Sequence, residues 1–115
     1  MSENTLLSDV LAAIAEVIEI DNTVKRRFNA VVEFDIDGTT RVFDARKSSV
    51  EPASKPDLRV KTSYSVLQEL LAKKITPQQA FMKGKLKIKG KMGLAMKLTV
   101  LLDATRKHLN LQARL

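Results

Sequence analysis

The first regular hydrophobic pattern predicts an amphipathic helix over about residues 6–20. Apolar residues recur there three and four positions apart, while acidic residues fall elsewhere on the wheel. The period then changes to two, with Phe28, Ala30, Val32, Phe34 and Ile36 on one side, which predicts a half-buried strand. The two patterns together predict a helix followed by a strand that packs on one face.

A hairpin is predicted at Asp37-Gly38, because a two-residue type I′ turn needs two positive φ angles. A second strand follows at about residues 39–47, and its register sets Val32 opposite Phe43. The same register places Arg41 on the apolar face. Because burying a lone arginine is costly, we expect Arg41 at a sheet edge or at the mouth of a cavity.

The second half of the chain alternates short helices and strands. Residues 48–56 are rich in Ser and Pro and predict a loop, and a third strand follows at about 58–62. Ser63 is a plausible N-cap of the next helix. Thr76 and Gln79 form a capping box, and Pro77 suits the first position of a short helix that Gly84 ends. A strand at 85–89, a last helix at about 92–103 and a polar tail complete the pattern, which favours an α+β fold with one mainly antiparallel sheet and helices on one face.

Composition restricts the chemistry. The 115 residues suit one domain, and 44% of them are apolar. The chain has no Cys and one His, so disulfides, thiolate nucleophiles and paired-His metal sites are excluded. Without a membrane-length apolar run or a signal-peptide pattern at its start, we expect a soluble intracellular protein.

No pattern points to catalysis. The carboxylates are scattered over predicted solvent faces, and nothing near His108 in sequence would orient it. Gly84, Gly90 and Lys91 have the wrong spacing for a P-loop, and Met92 replaces the required Ser or Thr. We therefore expect no enzyme and no cofactor.

A net charge of +7 predicts an anionic partner. Lysines at 83, 85, 87, 89 and 91 form a stripe with period two, which is typical of a solvated strand face and also suits an anionic membrane surface. A basic nucleic-acid-binding module is the alternative, although Leu86 and Ile88 replace the aromatics that base stacking needs. The nearby Met82, Met92 and Met96 fit either a filled core or an adaptable cavity, and periodicity does not distinguish the two.

The segment GKLKIKGKMGLAMKL, residues 84–98, closely resembles the signature of the sterol carrier protein 2 family, and its lead-in TPQQAFMK, residues 76–83, fits the same family. The resemblance implies that residues 1–115 form a single lipid-binding domain with a tail from about 104. It implies a five-stranded, mainly antiparallel sheet, with a fifth strand around Val50, and an apolar tunnel between sheet and helices. Lys73-Lys74 departs from the family, which often has Gly in that turn.

The implied ligands are fatty acids, fatty acyl-CoA and sterols, which a non-catalytic carrier would hold in the tunnel. Combined with the inward positions of the predicted elements, the resemblance predicts a tunnel lining drawn from both layers. The predicted lining residues are Phe34, Leu67, Leu70, Leu71, Phe81, Met82, Ile88, Met96, Leu98 and Leu102. A structural peroxisomal partner with a filled core is a third, weaker hypothesis.

The last three residues, Ala113, Arg114 and Leu115, are a conservative variant of the Ser-Lys-Leu peroxisomal address. They predict recognition by the peroxisomal import receptor and location in the peroxisome, with the cytoplasm as a second compartment.

Overall fold

The computed structural model describes residues 6–46 and 55–114, with side chains described as far as residue 110. Within these ranges the chain forms helices, strands and one 3₁₀ helix that follow each other in short steps. Their order is α1 (Leu7–Ile20), α2 (Asn22–Arg27), β1 (Val31–Ile36), β2 (Thr39–Asp44), β3 (Leu58–Thr62), α3 (Tyr64–Leu71), α4 (Pro77–Met82), β4 (Leu86–Gly90), the 3₁₀ helix (Met92–Lys97) and α5 (Leu98–Arg114).

The strands of the described ranges form one four-stranded mixed sheet in the order β2-β1-β3-β4. Strands β1 and β2 pair antiparallel, as do β3 and β4, whereas β1 and β3 pair in parallel. The predicted five-stranded, mainly antiparallel sheet is therefore wrong, and the proposed strand around Val50 lies outside the described residues. Strand β3 follows β2 in the chain but pairs with β1, on the side away from β2. Hydrophobic alternation carries no information about which strands become neighbours.

The predicted hairpin is confirmed. Ile36 pairs with Thr39 and Val32 with Phe43, and Asp37 and Gly38 have φ angles of 51° and 89°. Both angles are positive, as a type I′ turn requires. Arg41 lies on the edge strand β2, exposed, with its guanidinium carbon 5.8 Å from the centre of the Phe43 ring. Its edge position keeps the charge in water.

The predicted caps are also confirmed. The Ser63 hydroxyl accepts a hydrogen bond from the Val66 N–H at 3.2 Å. Thr76 and Gln79 form the capping box, in which the Thr76 hydroxyl accepts from the Gln79 N–H at 3.1 Å and the Gln79 side chain accepts from the Thr76 N–H at 3.0 Å. These reciprocal bonds satisfy amide donors that a helix start otherwise leaves unpaired.

The helix boundaries differ from the predictions at two places. The expected stop at Asp21 is instead the N-cap of α2, because the Asp21 carboxylate accepts from the Thr23 N–H at 2.9 Å. The last segment is a 3₁₀ helix followed by α5, which continues far beyond residue 103. The buried stripe of α5 continues through Thr105, whose hydroxyl donates to the Leu101 carbonyl at 2.8 Å, and through Leu109. Thr105 is polar, so the sequence pattern hid this continuation.

Asp57, which directly precedes β3, contacts the start of β1 and the residue that follows β4. Its carboxylate accepts a hydrogen bond from the Val31 N–H at 3.0 Å, and Lys91 Nζ lies 3.3 Å from Oδ1. These contacts, led by the Val31 N–H, hold the pKa of the Asp57 carboxyl below its ordinary value. The backbone of Gly90 passes so close to Asp57 that an added Cβ would lie 2.3 Å from the Asp57 carbonyl oxygen. These contacts hold the end of β4 and the start of the 3₁₀ helix against the residue that precedes β3.

Candidate lipid-binding site

Between the sheet and the helices lies a small apolar cavity of about 10 Å³, room for roughly one water molecule. Inward residues of β1, β3 and β4 form its floor, and α3, α4 and α5 form its roof. Its lining residues are Phe34, Val60, Thr62, Leu67, Leu70, Pro77, Leu86, Leu98 and Leu102. We call it the inner cavity.

A second space of about 120 Å³ lies where α4, β4 and the 3₁₀ helix meet. We call it the methionine cavity, because the flexible side chains of Met92 and Met96 form much of its wall. The other lining residues are Pro77, Gln78, Phe81, Ile88 and Ala95. Such a wall can adapt to ligands of different shape, because Met has three rotatable side-chain bonds.

A third space of about 310 Å³ lies between the end of α3, the start of α4 and α5. We call it the polar mouth. Leu70, Ile75 and Leu102 supply apolar wall, whereas Lys73, Thr76, Thr99 and Asp103 supply hydrogen-bonding groups. Lys73 Nζ lies 3.7 Å from Asp103 Oδ1 across this opening.

The three spaces are neighbours rather than separate features. Pro77 lines all of them, and Leu70 and Leu102 border both the inner cavity and the polar mouth. Small-molecule sites usually occupy about 300–1,000 Å³, are mostly apolar and carry a few polar groups. The polar mouth alone reaches the lower end of that range, and the inner cavity must widen before it can hold an acyl chain.

The structure brings together most of the predicted lining residues, but not as one continuous tunnel. Phe34, Leu67, Leu70, Leu98 and Leu102 line the inner cavity. Phe81, Ile88 and Met96 line the methionine cavity. Leu71 is buried in the core and Met82 is exposed at the end of α4, and neither lines any of the three spaces. A lipid-binding role for these ten residues stays a prediction.

Several lining residues were missed in the sequence. Val60 and Leu86 are inward positions of predicted strands, so period-two alternation alone was enough to find them. Pro77 was interpreted only as a helix start, and its contact with all three spaces depends on how α4 packs. Thr99 and Asp103 were placed in or next to the last helix, and only the packing of α5 brings them to the polar mouth.

Lys73 adopts a left-handed backbone with φ of 61°. The turn after α3 therefore keeps a geometry that glycine adopts most easily, and a lysine side chain is carried there at some cost in strain. That side chain is the one that reaches Asp103 across the polar mouth.

Within the described residues, no group of three or more His, Asp or Glu side chains is placed to hold a metal ion. His108 Nε2 lies 2.6 Å from a carboxylate oxygen of Glu16, where it joins α5 to α1. The Ser63 hydroxyl serves as a helix cap, which is a structural use. Among the described helices, none has the length and apolar character needed to cross a membrane.

Of the five lysines in the stripe, two lie on β4, and they point to the opposite face of the sheet from Ile88. Lys87 and Lys89 are exposed on β4, whereas Leu86 is buried and Ile88 lines the methionine cavity. This face offers charge without interleaved aromatic rings, so it lacks the stacking platform typical of single-strand nucleic-acid binding. The nucleic-acid alternative therefore gains no support from the geometry.

The family model of the SCP-2 sterol transfer family matches residues 7–103. The chain belongs to this family. Sterol carrier protein 2 of Bos taurus is 52% identical over 54 residues, which are 45% of this chain and 10% of that protein. The matched stretches make up only 10–14% of the first curated relatives, so the chain corresponds to a small part of those proteins.

Solved structures show the same fold. Apo sterol carrier protein 2 of Yarrowia lipolytica superposes with a TM-score of 0.69 at 21% identity, covering 92% of this chain and 96% of that one. A palmitated SCP2L2 of Aedes aegypti superposes with a TM-score of 0.59 at 18% identity, covering 86% and 96%. The α+β architecture, with one sheet and helices packed on it, is therefore that of sterol carrier proteins.

Proposed function

We propose that this protein is a non-catalytic lipid carrier that binds fatty acids, fatty acyl-CoA or sterols between its sheet and its helices. The observation that carries the proposal is the meeting of three spaces at Pro77, two of them lined almost entirely by apolar side chains. Family membership and the palmitated relative of the same fold support it.

The three spaces suggest how a ligand lies. Its hydrocarbon part occupies the inner and methionine cavities, whose walls offer few polar partners. Its polar end lies at the polar mouth, where Lys73, Thr76 and Thr99 can donate hydrogen bonds to a carboxylate or hydroxyl. Asp103 then holds Lys73 across the mouth until a ligand carboxylate replaces it as the partner.

The binding energy is compatible with a carrier. Burial of a chain of about sixteen carbons gains on the order of 11–12 kcal/mol, at about 0.8 kcal/mol per methylene. Ordering the ligand and widening the inner cavity remove several kcal/mol. A net of about −8 kcal/mol corresponds to roughly micromolar affinity, which holds a lipid in water and still releases it.

The test is titration of the delipidated protein with a fluorescent fatty acid, together with mass spectrometry of lipid that co-purifies with it. We expect saturable binding at roughly micromolar concentration. Leu102→Trp adds bulk where the inner cavity and the polar mouth adjoin, so we expect it to weaken binding at least about tenfold, a loss of about 1.4 kcal/mol.

The matched control is Val42→Trp, which adds the same ring at an exposed position of edge strand β2. Circular dichroism checks that both variants fold, and Met96→Trp tests the methionine cavity in the same way. An absence of saturable binding and of co-purified lipid would overturn the proposal. Unchanged affinity in both cavity variants would overturn the location of the site.

Peroxisomal import through Ala113, Arg114 and Leu115 remains part of this proposal. The backbone of α5 continues through Arg114, while the side chains of 113 and 114 and the whole of Leu115 lie outside the described residues. A fluorescent fusion that keeps this C-terminus free should enter peroxisomes. Replacement of Leu115 by Ala should leave it in the cytoplasm if the tripeptide is the address.

A further inference from the structure

The net positive charge of the protein comes from one segment. Residues 70–102, the basic segment, contain eight lysines and no Asp or Glu. The rest of the chain holds twelve Lys and Arg against thirteen Asp and Glu, so the basic segment accounts for the whole net charge of +7. A field of one sign over one region attracts a surface of the opposite sign.

The same segment exposes large apolar side chains. Phe81, Met82, Met92 and Met96 are 42%, 76%, 47% and 63% exposed, and they make up most of the exposed large hydrophobics in the described ranges. Every methionine of the chain apart from Met1 is among them. Exposed apolar side chains that cluster on a monomer usually mark a contact with a protein or a membrane.

Three of these side chains line one cavity, and the fourth lies next to them. Phe81, Met92 and Met96 line the methionine cavity, and Met82 adjoins Phe81 at the end of α4. We call the four residues the apolar rim. Lys83 and Lys97 follow Met82 and Met96 directly in the chain, and both are exposed. Lys85 directly precedes β4, and Lys87 and Lys89 point to the opposite face of the sheet from Ile88, so the charge beside the rim is that of Lys83 and Lys97.

We infer that the apolar rim is the docking surface for an anionic lipid bilayer. Lysines attract the headgroups, and Phe81 and the methionines insert below them, in the manner of interfacial apolar anchors. The methionine cavity then opens toward the acyl chains, so a lipid can pass between bilayer and protein without crossing water. Only this last step depends on the proposed carrier function.

The charge pattern favours a bilayer over a second copy of the chain. Two apolar rims facing each other would also bring two lysine-rich segments together, and like charges at a contact repel. An anionic bilayer matches both properties of the surface, since it offers negative headgroups above an apolar interior.

The test uses large unilamellar vesicles of phosphatidylcholine with and without phosphatidylserine. The rim variant carries Lys83→Glu and Lys97→Glu together. Its matched control carries Arg27→Glu and Lys107→Glu, two exposed cations outside the basic segment, and makes the same change in net charge. Each lysine near an anionic surface contributes about fivefold in affinity, so we expect at least about a 20-fold loss in the rim variant. The control should retain most of its binding.

Depth of insertion supplies a second measurement. The chain has no Trp, so a single introduced Trp reports its own surroundings by fluorescence. Trp emission should shift to the blue on serine-containing vesicles in Met82→Trp and Met92→Trp. It should stay unchanged in Val42→Trp, on the opposite edge strand of the sheet.

Three outcomes would overturn the inference: no wild-type binding to phosphatidylserine vesicles, equal loss in the two charge variants, or a blue shift at position 42 alone. Self-association that Met82→Trp abolishes would reassign the rim to a second copy of the chain. Fatty-acid titration without vesicles separates the two proposals. If the rim variant no longer binds vesicles but still binds fatty acid, the docking surface and the carrier function are both supported. If the wild type binds vesicles but no fatty acid, only the carrier function is overturned.

Discussion

Two regions of this molecule differ in their charge and in the exposure of their apolar side chains. Residues 7–44, the packed segment, contain four basic and eight acidic residues and bury their apolar side chains along α1 and β1. The basic segment, residues 70–102, contains lysines alone as charged residues, exposes its methionines and borders all three cavities. The difference teaches that one small domain can keep its acidic, closely packed surface apart from a lysine-rich surface that carries cavities and exposed apolar side chains.

The largest difference should appear when a side chain is truncated in each region. Ile14 is fully buried in α1, so Ile14→Ala leaves a cavity in close-packed surroundings and should lower the free energy of unfolding by about 2–5 kcal/mol. Met96 is largely exposed, so Met96→Ala should change that free energy by no more than about 0.5 kcal/mol. Urea unfolding measures both. Similar losses would mean that the basic segment is packed as tightly as α1.

A backbone test comes next, at the place where the basic segment touches the rest of the sheet. Gly90 has φ of 113° and faces the Asp57 carbonyl, so Gly90→Ala combines strain with a clash and should cost about 3 kcal/mol. Gly84 has φ of 73° with nothing near its absent Cβ, so Gly84→Ala should cost about 1 kcal/mol. Thermal unfolding of both variants ranks them. The reverse order would contradict the role of the Asp57 contact.

The link through Asp57 should depend on pH. Its folded-state pKa is lowered, chiefly by the Val31 N–H, so its contribution is present above the unfolded value near 3.8 and is lost as the pH falls through the folded value. Asp57→Asn should therefore destabilise the protein by about 1 kcal/mol at neutral pH, since the carboxylate is partly exposed. Urea unfolding of both proteins at a series of pH values should show this gap closing in acid. A gap that is independent of pH would exclude the charge as its cause.

The smallest effect is expected at the turn after α3. Lys73→Gly relieves a left-handed lysine and should raise the free energy of unfolding by about 0.5 kcal/mol, even though the ion pair with Asp103 is lost. Lys74 does not have a positive φ, so Lys74→Gly should lower stability by about 0.5 kcal/mol. Chemical denaturation distinguishes the signs. If Lys73→Gly is also destabilising, the ion pair at the polar mouth contributes more than the strain costs.

Local rules predicted local structure well. The hairpin register, the Ser63 cap and the capping box at Thr76 were all correct, because each depends on residues a few positions apart. Helix α2 was missed because Asp21 signals both an end and a start. The length of α5 was underestimated because a buried Thr105 interrupts an apolar stripe that continues to Leu109. Of the candidate site, eight of the ten predicted residues line one of the cavities, since inward positions follow from periodicity.

By itself, the sequence determined the periodic faces, the turns and caps, and the family. Each of these depends on residues a few positions apart or on one continuous segment. It also determined the charge contrast between the two segments. Only the tertiary structure decided that β3 pairs in parallel with β1, since alternation does not encode which strands become neighbours. Only packing brought Pro77, Leu70 and Leu102 to the meeting point of the cavities and placed Phe81, Met92 and Met96 around one cavity, because distant elements meet there.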